Sequence, residues 1–176
     1  MSHHQSLTDE ELVRRAQQGS EAAFHALVDR YAPRLYPIAF GVTRRHQDAE
    51  DIVQETFLKL FSNLSQYSPD RGLFKTWLFT ITRNQSLNVF ASLKRSLVRF
   101  FADTQEDENL SYSSQVEGSI SRNPESQLAS KQELARVEDA LAKLPERQRT
   151  ALLLKAQEGM SYEEIASVMS ASVSSV

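Results

Sequence analysis

Between residues 102 and 123 the chain reads ADTQEDENLSYSSQVEGSISRN, a stretch rich in serine and acids and poor in large apolar side chains. Such a segment cannot bury enough surface to offset the entropy of ordering it, so it is predicted to be a flexible linker. It divides the 176 residues into two parts, 1–101 and 124–176, each of which has to build its own core. Charge changes sign at the same place. From Arg71 to Ala102 the chain carries Arg71, Lys75, Arg83, Lys94, Arg95 and Arg99 and no acid. From Asp103 to Glu125, six acids face only Arg122. A basic segment followed by an acidic one points to an anion-binding element beside a tether.

Both flanks are predicted to be helical, which gives an all-α fold of two small domains. Gly and Pro number only 5 each, while Ala, Leu, Gln, Glu and Arg are abundant. With no cysteine there is no disulfide, zinc-thiolate site or thiol nucleophile, and the cytoplasm is the expected compartment. The N-terminus MSHHQSLTDEE lacks the apolar core of a signal peptide, and no stretch approaches the roughly 20 apolar residues of a membrane span. The net charge of −3 argues, taken alone, weakly against a nucleic-acid partner, but it averages over the partition just described.

Helix signals are dense in the first part. Thr8 and Glu11 have the spacing of a capping box, Leu7 and Leu12 that of a hydrophobic staple, and Gly19 can end the helix before Ser20 caps the next. Phe24, Leu27, Val28, Tyr31 and Leu35 then form a helical stripe, which Pro33 and Pro37 are expected to kink or interrupt. A third helix opens with Asp48, Glu50 and Asp51 and carries Val53, Phe57, Leu60, Phe61 and Leu64 on one face. QYSPDRG reads as a loop, and Phe74, Trp77, Leu78 and Ile81 mark the apolar side of a fourth helix that runs toward SLKRSLVRFF. In the second part, Asn123-Pro124 opens a helix with Leu134, Val137, Leu141 and Leu144 as its stripe. Pro145 starts the next helix and Gly159 stops it. Ser161 and Glu164 form a second capping box, followed by a SAS turn and a final helix beginning at VSSV.

Three constellations stand out. SYEEIASVM with its turn has helix-turn-helix spacing, with an ordinary helical hairpin as the bland alternative, and Ser170 sits where a left-handed backbone would favour glycine. Asp48, Asp51 and Glu55 share a helix face at a spacing where like charges repel. Either a basic partner meets them, or the face is solvated and relieved by Lys59 and the helix dipole. Lys75, Phe79 and Arg83 align opposite Trp77 and Ile81, which fits either single-stranded nucleic acid, with bases on the ring and phosphates on the cations, or core aromatics beside solvated cations. The loop Ser68, Pro69, Asp70, Arg71, Gly72 is small and polar, suited to holding an extruded base. No nucleophile elbow, P-loop, dinucleotide glycine motif or triad spacing is present, and none of the histidines has a Glu three residues before it, so neither enzyme activity, metal nor cofactor is expected.

In series, DAEDIVQETFLKLF, FKTWLFTITRN, the acidic tether, LPERQRTALLLK and EGMSYEEIA strongly resemble the bacterial extracytoplasmic-function (ECF) sigma factors, group IV of the main sigma-factor family. The resemblance spans both predicted domains in order. It implies a non-enzymatic promoter-recognition subunit that binds core RNA polymerase through its clamp coiled coil and flap, melts and reads the −10 element with the first domain, and reads the −35 element with the second. It further implies an anti-sigma factor as partner and no direct membrane insertion. Carried over residue by residue, Asp48, Asp51, Gln54 and Glu55 fall on the polymerase-binding positions. Ser68, Pro69, Asp70, Arg71, Gly72, Lys75, Phe79, Arg83 and Asn84 fall on the −10 reader, where Asn84 can make bidentate base contacts. Ser172, Ser174 and Ser175 can approach −35 phosphates, while the basic recognition helix that the resemblance implies is represented only by its first turn, as expected of a shortened chain. The runner-up is an autonomous two-domain helix-turn-helix regulator, and a third reading is a helical metalloprotein using Asp48, Asp51 and Glu55.

Overall fold

The structure is a computed structural model that describes residues 7–103, 136–137 and 139–176. Of the predicted tether only Ala102 and Asp103 are described, and they continue α4 instead of starting a linker; the rest of it, the Asn123-Pro124 helix start and Leu134 lie outside the described residues. Six α-helices carry the fold, and no strand occurs among the described residues. They are α1 (Asp9–Gln17), α2 (Glu21–Thr43), α3 (His46–Asn63), α4 (Phe74–Asp103), α5 (Glu146–Glu158) and α6 (Tyr162–Met169). A helical stretch that includes residues 139–143 precedes α5.

Local chemistry sets most of the helix ends. Thr8 accepts the Glu11 amide and Glu11 returns a carboxylate to the Thr8 amide, the reciprocal pattern of a capping box. Ser161 and Glu164 repeat it at the start of α6. Ser20 caps α2 by accepting the Ala23 amide. Gly159 ends α5 at φ 61°, and Ser170 ends α6 at φ 49°, the left-handed conformation anticipated there. Val173–Ser175 form a 3-10 turn rather than the start of an α-helix.

The prolines of α2 do not interrupt it. Pro33 and Pro37 each remove one intrahelical donor, but they lie four residues apart on the outer, solvated side, where water can serve the freed carbonyls. The opposite side, Leu27, Tyr31, Leu35 and Ile38, is fully buried and holds the helix to the core. In α3 the predicted stripe is shifted. Phe57, Leu60 and Leu64 are buried together with Ala49, Ile52 and Thr56, whereas Phe61 is 69% exposed and meets Phe24 edge-on. Helices α1 to α4 thus form a first unit centred on α2, which contacts α1, α3 and α4.

Helices α5 and α6 form the second unit, closed by Leu153, Leu154, Met160, Ile165, Val168 and Met169. It docks directly on the first, α5 against α2 and α6 against α4. Arg149 anchors this contact. Its guanidinium donates to the carbonyls of Leu141 (2.7 Å), Leu144 (2.7 Å) and Ala142 (3.2 Å) at the end of the preceding helix, and also to Gly41 on α2. Burial, and secondarily the nearby Arg44 cation, push the Arg149 pKa down from its ordinary value.

Candidate nucleic-acid and polymerase interfaces

The loop between α3 and α4 is tied to α1 and closed on itself. Gln17 donates its side-chain amide to the carbonyls of Leu64 (2.8 Å) and Tyr67 (3.0 Å), which ties the loop to α1. Tyr67 donates its hydroxyl to the Gly72 carbonyl at 3.0 Å and so closes the segment Ser68–Gly72 on itself. Pro69–Arg71 form a 3-10 turn that Gly72 ends at φ 133°, a backbone region that disfavours any side chain. Ser68 donates to the Asp70 carboxylate over a long 3.4 Å.

This loop forms one wall of a cavity of about 550 Å³. Ser68, Arg71 and Gly72 line it from the loop, Lys59 and Asn63 from α3, Thr76, Trp77, Thr80 and Ile81 from α4, and Ser167 from the second unit. Trp77 stacks on Tyr67 with ring centres 5.3 Å apart, and Tyr67 meets Phe74 edge-on at 5.5 Å. Behind them Phe74 and Phe79 both pack edge-on against Tyr31. An aromatic series therefore runs from the core to the cavity wall and fixes the Trp77 ring. Asn84 is exposed, one turn beyond Thr80 and two beyond Trp77, so it extends the same face of α4.

That arrangement corrects the predicted polarity of α4 in part: Phe74 and Leu78 are buried as expected, whereas Trp77 and Ile81 line the cavity. Phe79 is not an exposed stacking ring: it is fully buried, because the face bearing Lys75, Phe79 and Arg83 turns toward α2 and the second unit. The ring available to the cavity is Trp77. The buried side also holds Thr82 and Ser86, whose hydroxyls bond back to the carbonyls four residues earlier, at 3.0 and 2.8 Å. Arg83 is also covered, its side chain 7% exposed, and Lys75 is half-buried. Trp77, Tyr67, Lys59 and Asn63 escaped the sequence reading. Lys59 and Asn63 lie one turn apart on α3, and the periodicity of α4 places Trp77 on its apolar side.

On α3, Asp51, Gln54 and Glu55 are exposed along one face, with Asp48 at its N-terminal end. Asp48 pairs with Arg45 at 3.4 Å, and Glu55 accepts a 2.8 Å hydrogen bond from Gln85 of α4. Leu58, 68% exposed, continues the face and adds an apolar contact that charge reading overlooked. Among the described residues no group of three or more His, Asp or Glu could hold a metal ion. In the second unit Ser172, Ser174 and Ser175 are exposed and mutually hydrogen-bonded, with Ser172 Oγ 2.7 Å from Ser175 Oγ.

Comparison with known proteins follows the same two-part division. The Sigma-70 region 2 family matches residues 27–96, and the Sigma-70 region 4 family matches residues 134–176. The ECF RNA polymerase sigma-E factor of Haemophilus influenzae is 31% identical over 172 residues, covering 98% of this chain and 89% of its own. That of Escherichia coli is 35% identical over 174 residues, covering 98% and 88%. The chain belongs to the ECF sigma-factor family. As a sigma factor it directs RNA polymerase to promoters. The autonomous-regulator reading, with its first domain for a ligand or dimerisation, is set aside, since it leaves the acid cluster unexplained and the region 2 match covers most of that domain. Two solved structures share the all-α fold with this sigma factor. CnrH in complex with the cytosolic domain of CnrY is 30% identical with a TM-score of 0.62, covering 95% of this chain and 86% of that one. RpoE in complex with the anti-sigma factor NepR from Bartonella quintana is 28% identical with a TM-score of 0.56, covering 85% and 82%. Region 2 spans the greater part of the first unit, including the acidic face and all of the cavity lining except Ser167, and region 4 spans α5, α6 and the final turn.

Proposed function

We propose that this sigma factor divides promoter recognition among three surfaces. The acidic face of α3, with Asp48, Asp51, Gln54 and Glu55 around Leu58, docks core polymerase. Carboxylates at mutually repelling spacing are there offset by a basic partner, and Leu58 loses its exposure on docking. The cavity and its loop, Ser68 to Gly72, take a base of the −10 element once it leaves the duplex. The base stacks toward Trp77, Lys59 and Arg71 meet phosphates, and Asn84 reads a base edge. The second unit approaches the −35 element, with Ser172, Ser174 and Ser175 at its phosphates. The chain works by recognition without chemistry of its own, in the cytoplasm alongside polymerase. Among the described residues no helix is long and apolar enough to cross a membrane. Because CnrH and the Bartonella RpoE are each seen with a partner chain, this sigma factor is also held to bind an anti-sigma factor across its two units.

The observation that carries the −10 reading is the cavity itself, which joins a fixed aromatic ring, two cations and a short polar loop on one side of region 2. Permanganate footprinting of promoter complexes formed with core polymerase tests it. Asn84→Ala is expected to lower open-complex formation by about tenfold, since a bidentate base contact is worth about 1–3 kcal/mol, while binding to core persists. Unchanged melting by the variant removes Asn84 from the reader.

A further inference from the structure

The loop that walls the cavity is held from outside region 2. The region 2 match begins at residue 27, after the whole of α1, yet the side chain that ties the loop to a neighbouring helix is Gln17, the last residue of α1. Its Nε2 carries two hydrogens and directs both at the loop, to the carbonyls of Leu64 and Tyr67, 47 and 50 positions away. Those carbonyls bracket the 3-10 turn Leu64–Gln66, so one amide group fixes both ends of the turn from which Ser68–Gly72 departs.

The loop needs such a hold, because no residue from Ser65 to Leu73 is buried. Tyr67 also anchors it, and Tyr67 links the anchor to the cavity: its ring stacks on Trp77, and its hydroxyl closes the segment at Gly72. A shift of the Tyr67 backbone therefore moves two cavity walls at once, the aromatic ring and the polar loop. Helix α1 is a fixed post for this purpose. Leu12 and Val13 are buried in the core, and at its other end Asp9 pairs with Arg30 at 2.6 Å and accepts from the Tyr31 hydroxyl. Gln17 itself is exposed. Replacing an exposed side chain costs the core little, so its two bonds bear on where the loop stands, not on whether the chain folds.

We propose that Gln17 is a positioning residue for −10 recognition: through the Leu64 and Tyr67 carbonyls it sets the Ser68–Gly72 loop against Trp77, and so decides how firmly an extruded base is gripped. Helix α1, which precedes region 2, thereby becomes part of the reader. This inference deepens the −10 reading and rests on it for the ligand, an unpaired base.

The test uses holoenzyme assembled from core polymerase and the full chain, with fluorescein-labelled single strands bearing a −10 element selected by run-off transcription from a randomised promoter library. One strand is intact, and each of the others carries an abasic site at one position. Affinity is read by anisotropy. The wild-type chain is expected to bind one abasic strand about tenfold more weakly than the intact strand, the loss of a stacked base. Gln17→Met keeps the side chain's length and helix preference but lacks its donors. It is expected to shrink that ratio to about twofold, with core binding and melting temperature unchanged. Gln17→Lys, whose ammonium again offers donors to both carbonyls, is expected to restore the ratio. Gln17→Met with Gln18→Lys adds the same charge at the next position, and is expected to strengthen binding of all strands alike while the ratio stays at about twofold. A wild-type chain indifferent to every abasic site overturns the −10 reading, and the role of Gln17 with it. Where the wild type discriminates, a Met variant that discriminates equally well overturns the role of Gln17 alone. So does a ratio that falls only in step with core binding or melting temperature, which marks a structural part, and so does recovery of the ratio by Gln18→Lys, which marks a bare effect of charge.

Discussion

Tyr31 shows how single residues here join core packing to charge. Its ring is fully buried between Phe74 and Phe79, its hydroxyl donates to Asp9, and the Arg34 guanidinium lies over its face at 4.6 Å. Burial, and after it the Asp9 carboxylate, push the phenol well above its ordinary value near 10. The folded state therefore holds this proton more firmly than the unfolded one. The stability this contributes is complete below about pH 10 and is lost as pH climbs toward the folded value. Tyr31→Phe is predicted to cost about 2 kcal/mol at neutral pH, the worth of a hydrogen bond to a charged group. It is also predicted to lose less stability than the wild type above pH 10, which urea denaturation across pH can follow. Residue roles were unevenly legible. Thr8, Ser20, Ser161 and Ser170 act on their own backbone neighbourhood, so three- or four-residue spacing revealed them. Phe79 and Trp77 exchanged places because both faces of α4 carry aromatics, and periodicity gives the angle between faces but not which one is inward. The small buried hydroxyls Thr82 and Ser86 were the available signal.

Among the elements, α6 and its turn carry local strain of known origin. Ser170 holds φ 49° and ψ 49° with a Cβ that crowds the adjoining carbonyl. Ser170→Gly is expected to raise the melting stability of the folded chain by about 1 kcal/mol, measured by thermal or chemical denaturation, and a decrease would mean that the serine side chain outweighs the strain. In α3 the exposed apolar Leu58 beside Asp51 and Glu55 makes a second prediction. Leu58→Ala weakens binding to core polymerase by about tenfold, as expected on removing an apolar anchor from an interface centre, while leaving the melting temperature in place. Loss of stability without loss of binding would return Leu58 to a purely structural role. The acidic face was readable from charge spacing, whereas Leu58 was not, because an exposed leucine has no local mark. The continuity of α2 through Pro33 and Pro37 was likewise hidden. Proline reports a lost donor, but tertiary burial of the opposite face decides whether the helix ends.

At the scale of the whole molecule the composition of residues 102–123, a stretch that lies almost entirely outside the described residues, predicts two helical domains, while the docking of α5 and α6 on α2 and α4 had no signal in the sequence. Its contacts join residues as far apart as Arg34 and Glu158, 124 positions distant, and no local pattern encodes such a pair. Gly41 and Arg149 are the residues on which the docking turns, and singly each looks ordinary in the sequence. The account depends most on the first unit being a polymerase-binding module. The most direct measurement is equilibrium binding of the labelled full chain to core RNA polymerase, with Asp51→Arg compared at matched thermal stability. The wild-type chain is predicted to bind tightly, and the charge-reversed chain, still folded, to lose at least about tenfold in affinity. A folded wild-type chain that does not bind core, or an Asp51→Arg chain that binds as well as wild type, contradicts it.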